Sequence, residues 1–260
     1  MLSSPAAQAL LLSLASGGAT LLGGILIFFS SGKNEKLLSI ALGLAAGVML
    51  SVSFMDLYPQ AEKFFSVSFS ERKAVLFSVI GLLAGVLIAF WADHFVPHDA
   101  YDPKTGEAPH KNLYRTGVLS FVVIGLHNFP EGIVTFMAGY KELSLGISIA
   151  MAVALHNIPE GIAVAMPIYY ASFSRKKALR LTALCALAEP FGALTAFLIL
   201  YPFLNDAVLG AVFAIVAGIM VYVTIEELIP SSRQYGHDRE ALWATFAGIC
   251  FMPLTHLLHF

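Results

Sequence analysis

Eight apolar runs follow one another along the sequence, near 8–30, 37–58, 74–95, 116–138, 145–170, 181–203, 208–230 and 241–259, with short polar punctuation between them. A helix needs about 20 apolar residues to cross a bilayer. The runs are continuous, whereas the strands of a membrane barrel alternate in polarity over about ten residues. Eight transmembrane helices are therefore expected. Of the 260 residues, 58% are hydrophobic and 12% charged, against about a quarter charged in soluble domains. A water-exposed globule is excluded, and an all-α integral membrane protein is expected, a single transmembrane domain over 1–260. The N-terminal segment lacks the basic n-region and cleavage pattern of a secretory signal and reads as the lead-in to the first span. A net charge of −2 and the absence of a basic stripe argue against nucleic acid as a partner. Cys185 and Cys250 lie in apolar stretches without C-x-x-C spacing, so no disulfide framework or thiolate zinc site is signalled.

Basic residues orient the spans. The odd connections hold Lys33, Lys36, Lys104, Lys111, Arg115, Arg175, Lys176, Lys177, Arg180, Arg233 and Arg239, whereas the even ones hold only Lys63, Arg72, Lys73 and Lys141. The positive-inside rule places the odd connections in the cytoplasm and both termini outside. The longest connection, 94–115, is broken by Pro97, Pro103, Gly106 and Pro109 and is expected to be a flexible cytoplasmic loop. His94, His98, Asp99, Asp102 and His110 make it either a set of metal ligands or a solvated linker.

The fourth span carries His127-Asn128-Phe129-Pro130-Glu131-Gly132 and the fifth His156-Asn157-Ile158-Pro159-Glu160-Gly161. His and Glu four residues apart share a helix face, so each hexad projects an imidazole, an amide and a carboxylate into the bilayer. The proline kinks the helix and frees carbonyls; the glycine admits a neighbouring helix. A central acid costs about 2.5–3.5 kcal/mol on insertion scales, and Glu131, Glu160 and Glu189 have no mid-span Lys or Arg to pair with. Either a metal cation or protonation must compensate them. Imidazole with carboxylate suits a borderline divalent ion such as zinc, iron, manganese or cobalt, and the two hexads have ligands enough for two ions. Met55 offers a thioether. Asp56, Glu226 and Glu227 lie near span ends, as accessory ligands or hydrated groups. Met55-Asp56-Leu57-Tyr58-Pro59 and Glu226-Glu227-Leu228-Ile229-Pro230 each set an acid three residues before a proline, on spans of opposite direction. Such pairing suggests an inverted repeat, as in secondary transporters.

These residues resemble the ZIP (Zrt-/Irt-like) family of divalent metal transporters, and the paired hexads resemble its bacterial, ZupT-like branch. The likeness extends along nearly the whole chain, including Pro97-His98 in the third connection, Ala188-Glu189-Pro190 and the Glu226–Pro230 segment. It implies eight helices grouped three, two and three, the outer triplets related by inversion. It also implies a binuclear centre between the fourth and fifth helices. One site would use His127, Glu131, His156 and Glu160 with Met55 nearby; the other Asn128, Asn157 and Glu189, sharing Glu131 and Glu160 as bridges. The function implied is uptake of zinc, and of iron, manganese, cobalt or cadmium, through a bacterial inner membrane by an elevator-like homodimer. A large extracellular domain and a poly-His loop, common in eukaryotic members, are lacking.

Three rival functions use the same residues. An intramembrane zinc hydrolase needs an open coordination position and a general base, but Asn rather than Glu follows each His, so H-E-x-x-H is missing. A haem carrier with His127 and His156 as axial ligands leaves the glutamates unexplained. A carrier of organic cations leaves the histidines unexplained.

Overall fold

The computed structural model describes residues 4–29, 34–95, 108–200 and 205–255. Among these the chain forms eight long helices and no strand: α1 (Pro5–Ile25), α2 (Glu35–Ser68), α3 (Glu71–Phe95), α4 (Ala108–Lys141), α5 (Leu143–Ser172), α6 (Arg175–Thr195), α7 (Asp206–Arg233) and α8 (Asp238–Thr255). The first seven contain stretches long and apolar enough to cross a bilayer. In α8 the charges Asp238, Arg239 and Glu240 occupy the first turn. The chain is an all-α, multi-pass membrane protein.

The helix starts carry their own signals. Asn34, Ser174 and Asn205 accept from the backbone N–H three residues on, at 3.0, 3.2 and 3.0 Å, which satisfies a donor that a helix N-terminus leaves free. Two helices outrun their apolar runs. α2 reaches Ser68 rather than 58, and α4 starts at Ala108 rather than 116. An apolar window finds the part of a helix that lies in lipid, whereas a helix continues into water for as long as its backbone bonds close. Within the α4 extension, Leu113 is fully buried. The segment 108–115, expected as part of the loop, is therefore helical.

The usual soluble pattern is inverted. On α1 the buried positions are Ala9, Ser13, Ser16, Gly17, Ala19, Thr20, Gly23 and Gly24, while Leu11, Leu14 and Leu22 face outward. On α3, Leu76, Leu83, Leu87 and Trp91 do the same. Lipid is as apolar as leucine, so bulk is left outside and small residues let backbones approach.

The helices sort into two bundles, α1 with α4, α5 and α6, and α2 with α3, α7 and α8, joined where α2 meets α5 and α4 meets α7. Exchanging α1 with α6, α2 with α7, α3 with α8 and α4 with α5 reproduces these contacts. The correspondence reaches single residues. A Cβ on Gly47 would strike the Thr245 carbonyl and one on Gly248 the Leu44 carbonyl; the matching crossing sets Gly218 against Leu82 and Gly85 against Ile215. In the other bundle Gly23 meets the Ile158 carbonyl and Gly192 that of Phe129, the same position of the two hexads. α2 and α7 each widen into a π-helical turn, Ser53–Leu57 and Thr224–Leu228, two residues before Pro59 and Pro230. The faint flanking similarity in the sequence is thus a structural repeat. Since α6 begins five crossings after α1, the second triplet threads the bilayer in the opposite sense, giving the three, two and three arrangement with inverted repeats.

Candidate metal centre

The hexads occupy the middles of α4 and α5, each with its proline inside the helix. Their glycines bring the partner helices in. A Cβ on Gly132 would overlap the Glu189 carbonyl of α6, and one on Gly161 the Thr20 carbonyl of α1. Four helices therefore meet at one level, and the sequence sets that level by placing a glycine directly after each glutamate.

There the structure gathers His127, Asn128, Glu131, His156, Asn157, Glu160 and Glu189, none more than 5% exposed. Glu131 Oε1 stands between the imidazoles, 3.0 Å from His127 Nε2 and 2.7 Å from His156 Nε2. His127 Nε2 is also 3.4 Å from Glu160 Oε1. Ligand atoms of His127, His156 and Glu160 lie within 4.8 Å of one another, so modest side-chain rotation brings them to the separations a first-row metal requires, with bonds of about 2.0–2.2 Å. A carboxylate oxygen between two imidazoles also occupies the space through which a porphyrin would pass.

The amide layer continues the cluster. Asn157 Nδ2 donates to Glu189 Oε2 and to the Ser16 carbonyl, both at 2.9 Å. The second Glu189 oxygen accepts from the Ser16 hydroxyl. With its amide turned to satisfy its surroundings, Asn128 donates to the Ile124 carbonyl at 2.9 Å and to Glu160 Oε2 at 3.2 Å. Glu131 Oε2, Glu160 Oε1, Asn157 Oδ1 and the Nδ1 atoms of His127 and His156 make no hydrogen bond among the described residues. Buried acceptors left over in this way are costly unless something binds them, and carboxylate, amide and imidazole together form a cation's donor set.

Among the described residues a cavity leads to the cluster. A cavity of about 110 Å³ reaches Glu131 and His156 past Asp56, Gln60 and Thr135. It adjoins a wider one of about 550 Å³, which shares Gln60, Val134 and Ile149 and ends at Tyr140, Lys141 and Asp206. The opening thus faces the α4–α5 turn.

Several expected residues fall elsewhere. Met55 is 47% exposed, its sulfur accepting from Ser51 at 3.4 Å. It is not in the cluster, because in the π-helical turn its neighbour Asp56 faces the cavity and Met55 turns away. Glu226 is exposed. Glu227 is buried but accepts from Thr116 at 3.0 Å, and Thr116 precedes His127 by eleven residues, about 16 Å along the helix. His94 lies in the last turn of α3 and His110 in the first turn of α4; their side chains, and all of His98, Asp99 and Asp102, lie outside the described residues.

Sequence reasoning overlooked Ser13, Ser16 and Thr20, buried on the α1 face toward α5 and α6. Their spacing of three and four residues was the available signal, masked because small polar residues are ordinary at helix contacts in membranes.

Comparison with known proteins identifies the family. The family profile described as "ZIP Zinc transporter" matches residues 99–255. Among similar proteins, "Zinc transporter ZupT" of Oceanobacillus iheyensis is 40% identical over 260 residues, covering 96% of this chain and 97% of its own. The protein of that name from Chlorobaculum parvum is 41% identical, covering 95% and 96%. Its namesake in Streptococcus mutans is 37% identical, covering 96% and 97%.

Proposed function

The chain belongs to the ZIP zinc transporter family, and from that membership we propose that the α4–α5 cluster binds zinc and passes it into the cytoplasm. The chain is a divalent-metal transporter and not an enzyme; the identity of the metal, the direction and the number of ions form the proposal. The observation that carries it is the convergence of two identical His-Asn-x-Pro-Glu-Gly faces in a buried site whose acceptors outnumber its donors.

Two ions are held. His127, His156, Glu131 and Glu160 take the first, on the cavity side. Asn128, Asn157 and Glu189 take the second, with Glu131 and Glu160 bridging. Asp56, rather than Met55, extends the first site toward the opening. Iron, manganese, cobalt and cadmium satisfy the same donors. Ions arrive through the Gln60–Asp206 opening, which faces outward if both termini do. The bundle of α1, α4, α5 and α6 carries the site and shifts against the α2, α3, α7 and α8 scaffold, through which two copies pair in a bacterial inner membrane. His94, His98 and His110 collect metal on the cytoplasmic side.

Proteoliposomes given radiolabelled zinc test this reading. Protein-dependent uptake that cold zinc and cadmium compete for is expected. Correctly inserted protein that neither binds nor moves a transition metal overturns it.

A further inference from the structure

The Ser16 hydroxyl has three acceptors within reach and one hydrogen to give. It bonds the Glu189 carboxylate, while the carbonyls of Leu12 and Ser13 lie 3.0 and 3.2 Å away. The other Glu189 oxygen is held by Asn157, whose own amide oxygen is left unpartnered. Each oxygen of this buried acid therefore accepts from a protein donor, while Asn157 presents an unpartnered acceptor to the same region.

Accepting the two-ion reading above, we propose that Ser16 is a latch on the second metal subsite, competing with the incoming ion for Glu189. A carboxylate oxygen can accept twice, but the hydrogen bond holds Glu189 toward α1 and draws charge from the oxygen offered to the ion. When metal displaces it, the hydroxyl turns to the carbonyl of Leu12 or Ser13, so no buried donor is orphaned. This exchange separates a latch from a plain structural hydrogen bond, whose rupture would leave an unsatisfied group. Only the hydroxyl has to move. The backbone of α1 is fixed at this height, because a Cβ on Gly17 would already crowd the Ala186 carbonyl of α6. The second ion thus binds against a local competitor that the first does not meet, and the two subsites differ in affinity although the hexads are alike.

Removing the competitor should tighten the second site alone. A hydrogen bond to a charged group, less the value of its fallback, corresponds to about fivefold to tenfold in affinity. Isothermal titration of the detergent-purified full chain with zinc measures this. Two events are expected for the wild type. In Ser16→Ala the first should stay within about twofold and the second tighten about fivefold to tenfold. Ser16→Cys, similar in size but a weak donor, should fall between and guards against a packing defect in the alanine variant. In a Glu189→Ala background Ser16→Ala should produce no gain. A second event unchanged or weakened in Ser16→Ala and Ser16→Cys, with two events in the wild type, overturns the latch. A single event in wild type and variants alike overturns the two-ion reading and the latch with it, an outcome distinguished by the wild-type trace.

Discussion

Glu131 touches both imidazoles through one oxygen, at 3.0 and 2.7 Å, so replacing it by glutamine or alanine separates the loss of charge from the loss of the ligand. As the proposed bridge, Glu131 makes one contact to each of two ions; taken at the strength of hydrogen bonds to a charged group these contribute about 1.5–3 kcal/mol each, against about 0.5–1.5 for a neutral oxygen. Glutamine keeps an oxygen in place but moves two contacts from the first class to the second, a loss of about 2 kcal/mol, or roughly 30-fold in affinity. Alanine removes both, about 3–6 kcal/mol, or roughly 10²–10⁴-fold. Chelator-buffered zinc titrations on purified protein, with initial uptake rates at equal reconstituted amounts, should rank wild type above glutamine and glutamine above alanine. Glu160→Gln and Glu160→Ala should follow the same order, its carboxylate lying 3.4 Å from His127. Near-normal binding by Glu131→Ala, or alanine binding better than glutamine, would refute the bridging role.

Asn157→Ala should retain the first zinc and reduce uptake about tenfold, since a single neutral ligand and its hold on Glu189 are lost; a binding isotherm and a flux assay check both halves. Gly161→Val should lower the melting temperature of the detergent-purified protein and abolish uptake, because its side chain has to push the Thr20 backbone of α1 away from the hexad; an unchanged melt would show that the crossing is looser than described. Cysteines placed at Lys63 or Lys141 should react with an impermeant thiol reagent from outside the cell, and those at Lys104 or Lys176 should not; the reverse pattern would invert the topology and the direction of transport.

The clustering of these side chains was legible because they are concentrated in two short strings. His127 and Glu131, and likewise His156 and Glu160, need only helical periodicity to share a face, and the unpaired acids pointed to a cation. What stayed hidden depended on a second helix or on a local departure from α-geometry. Met55 and Asp56 are adjacent, and the choice between them is made by the π-helical turn Ser53–Leu57, which an apolar run does not reveal. Ser16 matters only because Gly17 lets α1 reach Glu189 from 173 residues away. The inverted repeat showed in the sequence as one faint pair of segments. Its substance is a set of reciprocal glycine-to-carbonyl contacts, such as Gly47 on Thr245 and Gly218 on Leu82, whose partners lie on different helices and carry no shared motif.

The central claim, that the two hexads together hold the transported metal, is tested most directly by locating the metal. Crystals of the full chain grown with cadmium and measured at an anomalous wavelength should show two peaks between α4 and α5. One should contact His127, His156, Glu131 and Glu160, the other Asn128, Asn157 and Glu189, and both should vanish in Glu131→Ala/Glu160→Ala. Peaks confined to the His94–His110 segment or to Glu227, with none between the hexads, would contradict the account.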